Sequence, residues 1–281
     1  MICDKYKTNT KQMDKQQELN YEEVYIILSN FFMSDFRKWY KMSEINKQWN
    51  RVVLDITTLV LKGINNHKSV EKIANFLKID TKLTKLTKLY LINNGSINKL
   101  NIKKIAEALK TNETLTELYL RNTCFDTNDI EEALKCNSTL TILDLSYSLI
   151  CVKTIAEALK CNSTLTTLYL RGNKIKSDGM IEIAKALEIN STLTTLDLSY
   201  NNVGNKAAKA IATALKTNKT LSTLLLDNTS MHSNEVVAIA TSLQINKTLT
   251  TLDISNNDIG YHGAKAIAEA VKINTTLTAL I

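Results

Sequence analysis

The sequence predicts an α/β solenoid assembled from repeated strand–helix units, and three observations predict it. An apolar landmark recurs at Ile56, Leu86, Leu115, Leu140, Leu165, Leu193, Leu221, Leu249 and Leu277, in steps of 30, 29, 25, 25, 28, 28, 28 and 28 residues. Within each unit an apolar pattern of period two gives way to one of period 3.6, the signatures of a strand and then a helix. Neither element can bury its apolar side alone, so the units must stack on their neighbours to make one continuous core. The array therefore runs over residues 56–281 as eight full repeats and a ninth that stops at Ile281.

Each unit reads L-x-x-L-x-L-x-x-N-x-I, a polar turn, I-A-x-A-L and N-x-T. In Leu193-Thr194-Thr195-Leu196-Asp197-Leu198, Leu196 and Leu198 are two apart and share one face of a short strand. Ala208, Ile211, Ala212 and Leu215 follow at helical spacing, and the small alanines let the helix lie close to the strand. Asn94, Asn173, Asn201 and Asn257 stand where the chain leaves the strand. There an amide that both donates and accepts can pair backbone groups of adjacent units as a ladder. Thr123, Ser148 and Thr229 replace it in three units, which should be looser. The two 25-residue units have lost about one helical turn, so the outer wall should thin around residues 125–160. Seven N-x-T triplets begin at Asn112, Asn137, Asn162, Asn190, Asn218, Asn246 and Asn274, all at one phase. That phase makes them turn chemistry, with asparagine taking the left-handed end of a helix, in preference to glycan acceptors.

These units resemble the ribonuclease-inhibitor type of leucine-rich repeat. The resemblance implies a horseshoe with a parallel sheet on the concave side and helices on the convex side. It also implies protein binding without naming the partner, because such repeats serve inhibitors, immune sensors and activators of small GTPases. The residues between and flanking the strand leucines would face the partner: Tyr90, Tyr119, Arg121, Asp144, Tyr169, Arg171, Asp197 and Asp253. Tyrosine and arginine are enriched at binding hot spots. The alternative is that the Y-L-R and D-L-S segments are two flavours of one duplicated repeat.

Ahead of the array, residues 1–18 are polar and of mixed charge and are expected to be a disordered tail, whereas residues 19–55 do not repeat. The latter read as a short all-α segment with helices over Tyr21–Phe31, Ser34–Lys41 and Ser43–Leu54, Ser34 and Ser43 acting as N-caps before Asp35 and Glu44. Leu19, Glu22, Val24, Ile27, Leu28, Phe31, Asp35-Phe36, Ile45-Asn46-Lys47-Gln48-Trp49 and Asp55 resemble an F-box. That motif joins leucine-rich repeats in substrate receptors of cullin–RING ubiquitin ligases. The resemblance implies that Leu19, Val24, Ile27, Phe31, Trp39 and Trp49 would meet a Skp-type adaptor while the horseshoe holds a protein substrate. Asn20 stands where the motif has proline, and the span from Leu19 to Trp49 is longer than usual by about three residues. The second reading of residues 19–55 is a helical cap over the open edge of the first repeat.

Composition narrows the remaining classes. The chain carries a net charge of +7, concentrated over residues 62–104, where ten lysines face only Glu71 and Asp80. That stretch lacks interleaved aromatics other than Tyr90, so it does not read as a nucleic-acid site. Five cysteines at no metal or redox spacing, an N-terminus without an apolar core and the absence of a long apolar run predict a reduced, cytoplasmic protein off the membrane. His67, His232 and His262 are far apart, and no catalytic triad, phosphate loop or carboxylate pair can be assembled. No catalytic residue, cofactor or metal is expected. At the other end, Leu277, Leu280 and Ile281 begin a strand with no helix after it, which predicts an incomplete or adhesive edge.

Overall fold

The computed structural model describes residues 26–27, 58–62, 73–75, 77–78, 86–92, 99–123 and 127–281. Among the described residues ten strands form one sheet in chain order: β1 (Ile26–Ile27), β2 (Thr58–Lys62), β3 (Lys88–Ile92), β4 (Glu117–Tyr119), β5 (Ile142–Asp144), β6 (Thr167–Tyr169), β7 (Thr195–Asp197), β8 (Thr223–Leu225), β9 (Thr251–Asp253) and β10 (Ala279–Leu280). Every neighbouring pair is parallel. Helices α1 (Lys99–Leu109), α2 (Thr127–Cys136), α3 (Val152–Cys161), α4 (Ser177–Ile189), α5 (Gly204–Thr217), α6 (Ser233–Leu243) and α7 (Gly260–Ile273) return the chain between strands. The architecture is the expected α/β leucine-rich-repeat solenoid.

The core lies between sheet and helices. Leu168, Leu170, Leu196, Leu198, Leu224 and Leu226 are fully buried, and α5 turns Ala207, Ala208, Ile211, Ala212, Ala214 and Leu215 toward them. Each fully buried leucine contributes about 1.5–3 kcal/mol. α2 and α3 have 10 residues each, against 13 in α4 and 14 in α5 and α7, so the outer wall does shorten at the two short repeats.

Polar side chains bind the coils in three rows. At the strand exit Asn201 Nδ2 donates to the carbonyls of Leu170 and Leu198 at 3.0 and 2.9 Å, while its Oδ1 accepts from the backbone of Asn173 and Ile175. Asn173 and Asn257 do the same in their coils; Asn94 lies outside the described residues. At the strand entry the hydroxyls of Thr166, Thr194, Ser222 and Thr250 each donate to the backbone carbonyl of the equivalent residue one coil earlier, at 3.0–3.1 Å.

The third row corrects an expectation. The asparagines of the N-x-T triplets do not take the left-handed helix end: Asn162, Asn190, Asn218 and Asn274 are extended, with φ between −75° and −64°. Their amides form a second ladder instead. Asn218 Nδ2 donates to Leu187 O at 2.8 Å in the preceding coil, and its Oδ1 accepts from the amides of Thr220 and Leu221. The side chain replaces the missing partners of a helix end, so the backbone is free to run straight into the next strand.

The structure also departs from the helix expected over Tyr21–Phe31. Ile26–Ile27 form β1, pairing in parallel with Leu59 and Val60 of β2. Two β-branched residues favour a strand, and the edge of β2 supplies backbone groups that need partners. The rest of residues 19–55 lies outside the described residues. At the other end β10 pairs with β9, and Leu280 and Ile281 are exposed.

Candidate functional site

Strand register sets Tyr90, Tyr119, Asp144, Tyr169, Asp197, Leu225 and Asp253 side by side in one column across the sheet. In each three-residue strand the central leucine is buried and the first residue is half-buried on the opposite face. The Tyr90 and Tyr119 rings are stacked with centroids 4.1 Å apart and planes 3° from parallel. The Tyr119 hydroxyl donates to Glu117 Oε2 at 2.9 Å, and Lys88 reaches Glu117 from the next strand at 3.4 Å. Burial first, and then neighbouring Tyr90 and Glu117, hold the Tyr119 hydroxyl far above the ordinary tyrosine range. Burial and then Asp144 raise that of Tyr169. Both phenols are therefore neutral at physiological pH.

The column's carboxylates behave differently from the expectation that they meet a partner. Asp144 and Asp197 are buried. Asp144 accepts from the Ser146 amide at 2.9 Å and is ion-paired to Arg121 Nε; Asp197 accepts from the Ser199 amide at 2.8 Å. Asp253 is half-buried and repeats the bond with Ser255. The recurring D-L-S segment is thus a turn motif in which aspartate holds the amide two residues on. Burial pushes the Asp197 carboxyl up, against the hydrogen bonds from Ser199.

Arg121 and Arg171 stand two residues past β4 and β6 and have different partners. Arg121 covers Asp144. Arg171 donates from Nε to the Tyr147 hydroxyl at 3.1 Å and from Nη2 to Asp227 Oδ2 at 3.2 Å, and its guanidinium carbon lies 4.1 Å from the centroid of the Tyr200 ring. Tyr147, Tyr200 and Leu149 were not among the sequence candidates. The signal that could have found the two tyrosines is their position, where other repeats carry asparagine or glycine. Of the adaptor candidates, Leu19, Val24, Phe31, Trp39 and Trp49 lie outside the described residues, and Ile27 belongs to β1. Among the described residues no helix is long and apolar enough to cross a membrane, and no cluster of His, Cys, Asp and Glu could hold a metal. Cys136, Cys151 and Cys161 are exposed and take part in no disulfide.

Sheet, helices and asparagine ladders define a leucine-rich-repeat protein. A family profile described as Leucine Rich repeat matches residues 161–184, 190–212 and 246–268. Among solved structures the chain is similar to the actin-binding site 2 of leiomodin-1, at 30% identity over 44% of this chain and 75% of that one, with a TM-score of 0.43. It is similar also to the Rad7–Elc1 complex of yeast, at 14% identity over 84% and 71% with a TM-score of 0.40. The C-terminal domain of tropomodulin from Caenorhabditis elegans matches at 13% identity over 60% and 90%, with a TM-score of 0.42. A search of curated proteins returned no significant match.

Proposed function

We propose that this chain is a non-catalytic scaffold that holds a protein partner against the column face of its sheet, around Tyr90, Tyr119, Arg121, Tyr169 and Arg171. The observation that carries this reading is the stacked Tyr90–Tyr119 pair, with Tyr169 two strands further along the same column beyond Asp144: neutral, half-buried aromatic rings on one face of the sheet, flanked by arginines. Such rings bury large area at small cost in side-chain entropy, which is why they anchor interfaces. The test compares proteins retained from a cell extract by the intact chain and by a Tyr119→Ala/Tyr169→Ala variant, with folding followed by circular dichroism. A partner retained by the first and lost from a folded second supports the reading. Equal retention by both removes it.

The finer proposal is that the scaffold is the substrate receptor of a cullin–RING ubiquitin ligase, with residues 19–55 docking a Skp-type adaptor. It rests on the F-box-like residues, above all Ile45 to Trp49 and Asp55. The pairing of Ile26–Ile27 with β2 favours the second reading, a cap that covers the first strand edge. Titrating the chain with a purified Skp-type adaptor separates them, since both tryptophans, Trp39 and Trp49, lie in this segment. A blue shift of emission that Val24→Asp/Ile27→Asp abolishes, with the repeats still folded, supports the receptor. No adaptor response, together with destabilised first repeats in the variant, supports the cap.

A further inference from the structure

Past the ends of strands β4 to β9, the chain turns through a left-handed residue at a fixed position in the repeat. Six successive coils show it: Asn122 (φ 54°), Tyr147 (59°), Gly172 (67°), Tyr200 (57°), Asn228 (52°) and Asn256 (53°). Glycine and asparagine enter this region at little cost, whereas a residue as bulky as tyrosine is strained there. The repeat supplies its own control. Four coils use the undemanding residues, and two accept strain in order to carry tyrosines that stay 41% and 39% exposed. Strain retained at a surface position points to a use for the side chain.

The two rings converge on one arginine. Arg171 bonds the Tyr147 hydroxyl on one side and stacks on Tyr200 on the other. Asp227 takes Nη2 but is itself occupied, accepting also from Asn256 Nδ2 at 2.8 Å. The Arg171 Nη1 amino group has no hydrogen bond to the described residues, and the arginine side chain is 31% exposed. Leu149, also left-handed at φ 51°, adds apolar surface that is 52% exposed. Between strand and helix in these three coils (146–151, 171–176 and 199–203) the charged residues are Arg171, Lys174 and Lys176, all basic.

We propose that Tyr147, Arg171, Tyr200 and Leu149 form a docking site for an extended acidic segment of a partner protein. An apolar side chain of the segment packs on the rings, and a carboxylate takes the free edge of Arg171 beside Lys174. The site deepens the scaffold reading and depends on it, placing the selective contacts at the strand-exit rim. The test selects random twelve-residue peptides displayed on phage against the full chain and titrates the enriched sequences as synthetic peptides. Enrichment of aspartate or glutamate next to an apolar residue is expected. Tyr147→Asn and Tyr200→Asn, which install the residue of the equivalent coils, should leave the unfolding midpoint unchanged or raised and weaken binding at least tenfold. Arg171→Lys should weaken it comparably, because lysine keeps the charge and loses the planar stack. Enrichment of neutral or basic peptides, no enrichment, or acidic peptides that bind the asparagine variants within threefold of the intact chain would overturn the site. Peptides lost from Tyr119→Ala/Tyr169→Ala yet kept by Tyr147→Asn would overturn it while leaving the scaffold reading in place.

Discussion

The ring of Tyr147 lies across Gly172, so closely that a Cβ added to Gly172 would come within 2.4 Å of its Cδ1 and Cε1. Gly172 is also left-handed, at φ +67°. Gly172→Ala therefore meets two penalties, backbone strain of about 1–2 kcal/mol and displacement of the ring. Denaturant unfolding should show a loss of roughly 2–3 kcal/mol for Gly172→Ala in the intact background, the sum of strain and a modest clash. In a Tyr147→Ala background only the strain should remain. Equal losses in both would mean that the ring yields freely and does not constrain Gly172.

The asparagine ladders should matter as much as the leucine core. Asn201→Ala strands the buried backbone groups of Leu170, Leu198, Asn173 and Ile175, and Asn218→Ala those of Leu187, Thr220 and Leu221. Each unsatisfied buried group costs about 1–3 kcal/mol, with some recovered by water. A loss of roughly 3 kcal/mol is expected at either site, close to the ~2–5 kcal/mol of Leu196→Ala. Asp in place of Asn should fail as badly, because it keeps the acceptor and loses both donors. Urea melts of the three variants decide this; a loss below ~1 kcal/mol for either asparagine would show that its ladder is dispensable.

Hydrogen exchange should resolve the weak coils. Thr123 Oγ1 makes one bond of ordinary length, to Leu120 O at 2.8 Å, and the Ser148 hydroxyl joins three backbone groups, donating to Leu120 and Ser146 and accepting from the Thr123 amide, whereas Asn201 joins five. The helices of these coils are also the short ones, α2 and α3. Amides over residues 118–150 should exchange faster than those over 168–201. Slower exchange in the first stretch would contradict the link between ladder bonds and local stability.

Asp197 gives a pH dependence with a definite sign. Burial raises its carboxyl above the ordinary aspartate value, so the folded chain binds this proton more readily than the unfolded chain. The destabilisation grows as pH rises from ~4 through the raised folded value and is complete above it. Asp197→Asn keeps an oxygen for the Ser199 amide and removes the buried charge. Its thermal midpoint should exceed that of the intact chain at neutral pH and converge with it below pH ~4. A variant less stable at neutral pH would mean that attraction from Arg171 outweighs burial.

The periodicity from Ile56 to Leu277 determined the strands, the helices, their parallel stacking and the thinning of the outer wall, because a repeated apolar pattern has only one way to bury both of its faces. It also determined the column of residues that faces away from the helices, since side-chain direction alternates along a strand. Which of those residues remain available was decided by tertiary structure alone. Asp144 and Asp197 look like surface charges in the sequence, yet neighbouring turns and Arg121 enclose them. Asn218 looks like a left-handed helix end, yet its amide spans to the previous coil and leaves its backbone extended. Tyr147 and Tyr200 are 53 residues apart in the chain (200 − 147) and become one cluster only because coil stacking brings Arg171 between them. Hydrogen-bond partners and burial belong to pairs of coils, and a pattern read along one coil does not contain them.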